Sequence, residues 1–237
     1  MQALFSEIFT RPLLNLLIFL YQTLPVQDLG LAIILLTILI RVILFPFVAK
    51  SIKAQKALAE IQPELKAVQE KYKNNKEEQA KQIMELYRAR GVSPFSGCLP
   101  VLIQLPLLFA LFWVFSAIVG PGAIEKLYSF VPHPDSINTI AFGFLDLAKP
   151  SAALAILAGA TQFLQAYLTP QAPTGATQGS AFAKSLQWQT TYFLPIFITV
   201  IAFRFASALP LYWTVLNIIG VIQQSGVIGR IFRRPRQ

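Results

Sequence analysis

The sequence predicts an all-α integral membrane protein: five transmembrane helices and, outside the bilayer, an antiparallel helical hairpin. Three observations carry this. Of the 237 residues 55% are hydrophobic and only 13% charged, whereas a soluble domain carries about 25% charged residues. Apolar stretches recur at 29–48, 98–119, 151–168, 190–205 and 208–228, each close to the ~20 residues that a helix needs to cross hydrocarbon. Backbone groups in lipid must be satisfied within their own segment, which selects helices. Most of the basic residues behind the +9 net charge gather in two segments, 49–97 and the C-terminal tail.

Taken in order, residues 1–28 hold a short apolar stretch at 12–21 between Glu7, Arg11 and Gln22. Its length suits an interfacial helix lying flat, followed by a linker on the outer side, better than a sixth span. No basic start or small-residue cleavage site marks a secretory leader. Span one is 29–48. The segment 49–97 is polar, with ten basic residues from Lys50 to Arg90 against six glutamates. Within it Leu58, Ile61, Leu65, Val68 and Tyr72 alternate at steps of three and four, the seam of a packed helix pair. Pro63 bends this helix or starts it anew. Lys73-Asn-Asn-Lys76 breaks the pattern, and Asn75 followed by Glu78 has the form of an N-cap with its box partner. A second helix then presents Ala80, Ile83 and Tyr87 and stops before Gly91.

Span two, 98–119, leads to an outer loop at 120–150 with few basic residues. Span three, 151–168, is followed by a cytosolic loop at 169–189, span four at 190–205, span five at 208–228 and a basic tail at 229–237 carrying Arg230, Arg233, Arg234 and Arg236. The positive-inside rule puts 49–97 and the tail in the cytosol. Five spans then require an outside N-terminus and a cytosolic C-terminus, in a bacterial plasma membrane. The basic hairpin could meet anionic lipid or ribosomal RNA, or its lysines could serve topology alone.

Polar residues inside the spans are the candidate functional groups. Arg41 stands in an otherwise apolar run. A guanidinium stays charged at any accessible pH and costs roughly 2.5–3.5 kcal/mol near the bilayer centre. Either it snorkels to the interface or it faces a polar cavity, which Thr37, one turn earlier on the same face, favours. Gln104, Gln162, Gln165, Tyr212, Trp213 and Asn217 lie in spans two, three and five. Each amide could bond a neighbouring helix, or the set could line a wet groove with Arg41. No acidic residue lies within a span to pair with Arg41. An unpaired Arg attracts an acidic group arriving from outside the protein.

Some chemistry is excluded. One cysteine, Cys98, and one histidine, His133, permit neither an intramolecular disulfide nor a Cys/His zinc cage. No enzyme, metal, other cofactor or DNA partner is expected. A small-solute anion transporter or channel using Arg41 is the alternative. Against it stand the missing coupling carboxylates and the missing inverted repeat.

Several segments, in order, carry a resemblance: Gly30 to Arg41 with Phe45-Pro46; Ile61-Gln-Pro-Glu-Leu65; Leu86-Tyr87 leading to Gly91-Val-Ser-Pro94; Gly97-Cys-Leu-Pro-Val-Leu-Ile-Gln-Leu-Pro106; Leu145-Asp-Leu147; Leu211-Tyr-Trp213, Asn217 and Gln223-Gln224. With these, from about residue 5 to 226, the chain resembles the YidC, or oxidase-assembly, family of membrane protein insertases. The resemblance implies a five-helix insertase core with a groove open to cytosol and lipid and closed to the outside. The family's groove arginine falls on Arg41, its threonine neighbour on Thr37, its span-two glutamine on Gln104, and its client-contacting aromatic pair on Tyr212 and Trp213. It also implies nascent membrane proteins as clients and, as partners, the translating ribosome, the Sec translocon and the signal-recognition-particle receptor. Folding clients as a chaperone is a second activity it allows. Phe205-Ala-Ser-Ala-Leu-Pro210 departs from the family's usual Pro-Ala-Gly-Leu, and Asp146-Leu-Ala-Lys149 from a more acidic version. A large outer domain, an extra N-terminal span and a lipoprotein-type start are not expected, nor is strong ribosome binding through so short a tail.

Overall fold

The computed structural model describes residues 2–93, 99–120, 123–169 and 188–224. Most of the cytosolic loop expected at 169–189, the tail at 229–237, the end of the last span beyond Gln224 and Cys98 lie outside them. Helices dominate. A short α1 (Gln2–Phe5) runs through a π-helical turn (Ser6–Thr10) into α2 (Arg11–Thr23), and α3 (Leu29–Glu60) follows. Then come α4 (Gln62–Lys71), α5 (Lys76–Ala89), α6 (Leu99–Val119), α7 (Ala152–Leu168), a second π-helical turn (Gln189–Phe193), α8 (Leu194–Ala202) and α9 (Ala208–Gln224).

Helix α3 begins where Asp28 caps it, its carboxylate accepting from the Leu31 amide at 2.9 Å, which satisfies one of the helix's orphan donors. It does not stop at Val48, the end expected for span one. It runs on for 32 residues with Pro46 inside it, roughly 48 Å at 1.5 Å per residue and so longer than the ~30 Å hydrocarbon core. Among the described residues it is the one helix long and apolar enough to cross a membrane by length and composition; Gln104–Val119, Ala152–Leu168 and Gln189–Ala202 are shorter apolar helices.

The main core is built from α2, α3, α6, α9 and the loop after α6. Leu14, Leu17, Ile18 and Tyr21 of α2 are buried beside Ile33 and Leu36 of α3, Leu111 and Val114 of α6, and Leu211 and Tyr212 of α9. Helix α2, expected to lie along the interface, thus buries one face against its neighbours. A second, separate cluster holds Leu58, Ile61, Leu65, Ile83 and Tyr87, with Val68 packed on its edge. It joins the end of α3 to α4 and α5. Pro63 sits in the first turn of α4, where a missing N–H costs nothing, so the chain restarts there. Tyr72 closes α4, and Asn75 caps α5 by accepting from the Glu78 amide at 3.1 Å. Arg90 donates twice to the Glu64 carboxylate, tying the end of α5 to the start of α4.

The 120–150 segment, expected as a loop, contains two short strands, β1 (Ile140–Ala141) and β2 (Leu145–Asp146), paired antiparallel. Their turn uses Phe142 (φ 55) and Gly143 (φ 79), a left-handed backbone that suits glycine and is uncommon for phenylalanine. This ribbon is pinned to the bundle. Asn15 accepts from the Tyr128 amide at 2.6 Å and donates to Lys126 O at 3.3 Å. The Tyr21 hydroxyl accepts from Asn138 N at 3.1 Å, and Asp28 accepts from Phe142 N. Ala208 N donates to Leu147 O at 3.2 Å. Helices thus make up most of the described residues, and the one two-stranded ribbon among them, with the irregular chain around it, covers the ends of α2, α3 and α9.

Candidate functional site

Arg41 lies one turn beyond Thr37 on α3. Thr37 is buried and donates its hydroxyl to Ile33 O at 2.6 Å, so its own helix uses its proton. The Arg41 side chain reaches across to α9. Its Nη2 donates to Leu216 O at 3.2 Å and its Nη1 to Gln223 Oε1 at 3.4 Å, while its buried Nε has no partner. Leu216 and Gln223 are seven residues apart, two helical turns, and so share a face. The ion pairs among the described residues are Arg11–Glu7, Lys73–Glu70, Arg90–Glu64 and Lys149–Asp146. None includes Arg41. Among the described residues its charge is answered by neutral acceptors alone.

Tyr212, on the same side of α9, is completely buried. Its hydroxyl accepts from Gln104 Nε2 at 2.8 Å, and its ring lies 6.2 Å from that of Phe115. The next residue, Trp213, points about 100° further round the helix and is only partly buried. Of the expected aromatic pair, only Trp213 is thus accessible to a passing polypeptide in this conformation. Arg41, Gln104 and Tyr212 belong to one region where α3, α6 and α9 meet.

The other candidates lie elsewhere. Asn217 is buried and donates to Ala158 O at 3.4 Å and Thr161 Oγ1 at 3.3 Å on α7. Gln165 packs its amide against Gly220. Both residues serve the α7–α9 seam, where the Thr169 hydroxyl also meets Gln224 at 3.0 Å. Asn217 meets α7 from α9, and Gln165 lies on α7 itself, so the contacts of both are with this seam and not with Arg41. Gln162 is half-exposed on α7. The hairpin candidates Leu58, Ile61, Leu65, Ile83 and Tyr87 are buried in the second core and Pro63 is exposed, which makes the first five packing residues.

Gln223 was absent from the expected site. The signal for it was present: a glutamine in the last apolar stretch, within the Gln223-Gln224 pair. Nothing in spacing alone separates it from Gln224, which turns to α7. No group of three or more His, Cys, Asp or Glu that could hold a metal occurs among the described residues.

Comparison with known proteins gives a consistent set. A family model described as 60Kd inner membrane protein matches residues 19–233. A protein of Fusobacterium nucleatum named membrane protein insertase YidC is 38% identical over 199 residues, covering 84% of this chain and 85% of that protein. The protein of the same name from Oceanobacillus iheyensis is 37% identical over 199 residues, 82% of this chain and 72% of its own length. One from Wolinella succinogenes is 37% identical over 221 residues, which is 93% of this chain but 37% of that protein. The chain therefore spans most of the shorter relatives and little more than a third of the longest of these three.

Proposed function

The chain belongs to the 60Kd inner membrane protein family, and from that premise we propose that it inserts nascent membrane proteins into a bacterial inner membrane and assists their folding. The reading takes the protein as a five-span bundle with its N-terminus outside, its C-terminus cytosolic and the α4–α5 pair on the cytosolic side. The translating ribosome is the partner nearest the basic segment; the Sec translocon and the signal-recognition-particle receptor are further partners on this reading.

The observation that carries the mechanism is the state of Arg41: a permanent charge bonded to Leu216 O and Gln223 with no carboxylate beside it. A fixed cation of this kind draws the polar or acidic flank of a client segment into the membrane and offsets part of its desolvation cost. The hydrophobic part of the client then moves past Trp213 into lipid, driven by apolar burial worth about 25 cal/mol per Å². A membrane potential adds about 2.3 kcal/mol per charge per 100 mV, in the direction that moves acids outward. Binding and release suffice, and no covalent step is required.

Reconstitution in liposomes free of other proteins tests this. A single-span client with a short acidic tail should become protease-protected with the wild type, and Arg41→Ala should slow insertion about tenfold, roughly 1.4 kcal/mol. Arg41→Lys keeps the charge but not the two-pronged geometry and should fall between. Equal insertion by wild type and Arg41→Ala refutes the mechanism.

A further inference from the structure

Both acceptors that hold Arg41 are uncharged, and only one of them is a side chain. Leu216 O belongs to the backbone of α9. Gln223 is 9% exposed, and its carboxamide supplies the single side-chain hydrogen bond to Arg41 among the described residues. At 3.4 Å that bond exceeds the usual range for N–H···O. A glutamate has the same reach and nearly the same shape as glutamine. In its place it would form a charge-assisted, two-pronged pair with the guanidinium. With glutamine, Arg41 is oriented toward α9 and its charge remains available.

We propose that Gln223 is the specificity-determining residue of the site. It is a neutral acceptor that aims the Arg41 guanidinium and gives way to a carboxylate on an incoming polypeptide segment. This rests on the insertase reading, in which Arg41 attracts the acidic flank of a client, and adds to it the residue that keeps the guanidinium free for that flank. The exchange replaces one long bond from the guanidinium to an uncharged amide by a pair with a full opposite charge in two-pronged geometry. The buried Nε, which has no partner, gives the guanidinium a further donor to offer that carboxylate. A residue that merely tied α3 to α9 would not discriminate between clients by charge.

The test uses the full chain in liposomes with two versions of one single-span client, differing only in Asp or Asn at one position of the translocated tail. Wild type, Arg41→Ala, Gln223→Glu and Gln223→Asn are compared by protease protection, with thermal unfolding as a check on folding. Gln223→Glu places an ionised carboxylate beside the guanidinium and should lower insertion of the Asp client about tenfold, to the level of Arg41→Ala. The Asn client should change less than about twofold. Gln223→Asn is one methylene shorter at a bond already 3.4 Å long, so it should weaken the preference for the Asp client, less than Gln223→Glu does. Arg41-dependent insertion that Gln223→Glu leaves unchanged overturns this inference alone, as does an equal loss of both clients. Arg41-independent insertion overturns the charged-site reading, and this one with it.

Discussion

A hydroxyl, an amide and a guanidinium within a few turns of one another have three different fates here. Thr37 donates to its own helix, Asn217 bonds α7, and Arg41 is left with neutral partners. Hence polar residues of similar apparent promise should respond differently to substitution. Asn217→Leu removes interhelical bonds, each worth about 0.6 kcal/mol in membrane bundles. It should lower the detergent-phase unfolding temperature while leaving the Asp-to-Asn client ratio unchanged. Tyr212→Phe strips Gln104 of its acceptor at the meeting of α3, α6 and α9. Gln104 is half-buried, and an unsatisfied amide costs up to about 1–3 kcal/mol where it is fully buried, so this single oxygen should lower the melting temperature more than Asn217→Leu does. A larger effect from Asn217→Leu would mean that water satisfies Gln104.

At the scale of elements, close helix approach depends on two glycines. A methyl group on Gly159 of α7 would run into the Thr199 hydroxyl, and one on Gly220 of α9 into the Gln165 amide. Gly159→Val should therefore destabilise the α7–α8 contact by about 1–3 kcal/mol. Thr199→Ala in the same chain should recover part of that, which a double-mutant cycle of thermal unfolding would reveal. The α4–α5 pair has its own small core, and Leu65 in it is 1% exposed. Leu65→Ala should cost about 2–5 kcal/mol. The loss should be confined to that pair, read as faster amide exchange in 58–90 with 29–45 unchanged.

The two-stranded ribbon adds a pH dependence. The Asp146 carboxyl is held below the ordinary carboxylate range, first by the Lys149 ammonium and then by the Ala148 amide, with Thr139 contributing. A folded-state value below the unfolded one stabilises at pH above the unfolded value, and that gain is lost as pH falls through the folded one. Amide protection around 139–148 should weaken as pH drops below the carboxylate range. Asp146→Asn should remove that dependence.

Among the described residues, two cores that share no residue imply two units of different stability: the bundle with its two-stranded ribbon, and the α4–α5 pair attached through the continuous α3. Composition and apolar stretches announced the membrane class, because lipid leaves a chain few ways to satisfy its backbone. Asn75, Pro63 and the seam from Leu58 to Val68 were legible for a similar reason: capping and packing on adjacent turns are local. The strands at 140–141 and 145–146 were not, since two-residue strands have no period to detect and exist only because Asp28 and Tyr21 hold the segment against α2 and α3. The run of α3 past Val48 was hidden too, because hydropathy marks where lipid ends and not where a helix does.

Sequence alone determined which residues are expensive in a membrane, and Arg41 stands out among them because its cost arises from its own chemistry. Only the tertiary structure decided what Arg41 touches. Gln104, Gln165, Asn217, Gln223 and Gln224 read alike as amides in apolar helices, and the rotation of α9 against α3, α6 and α7 sorts them. That rotation is set by the packing of many apolar side chains over long sequence separations, and no single local pattern records it.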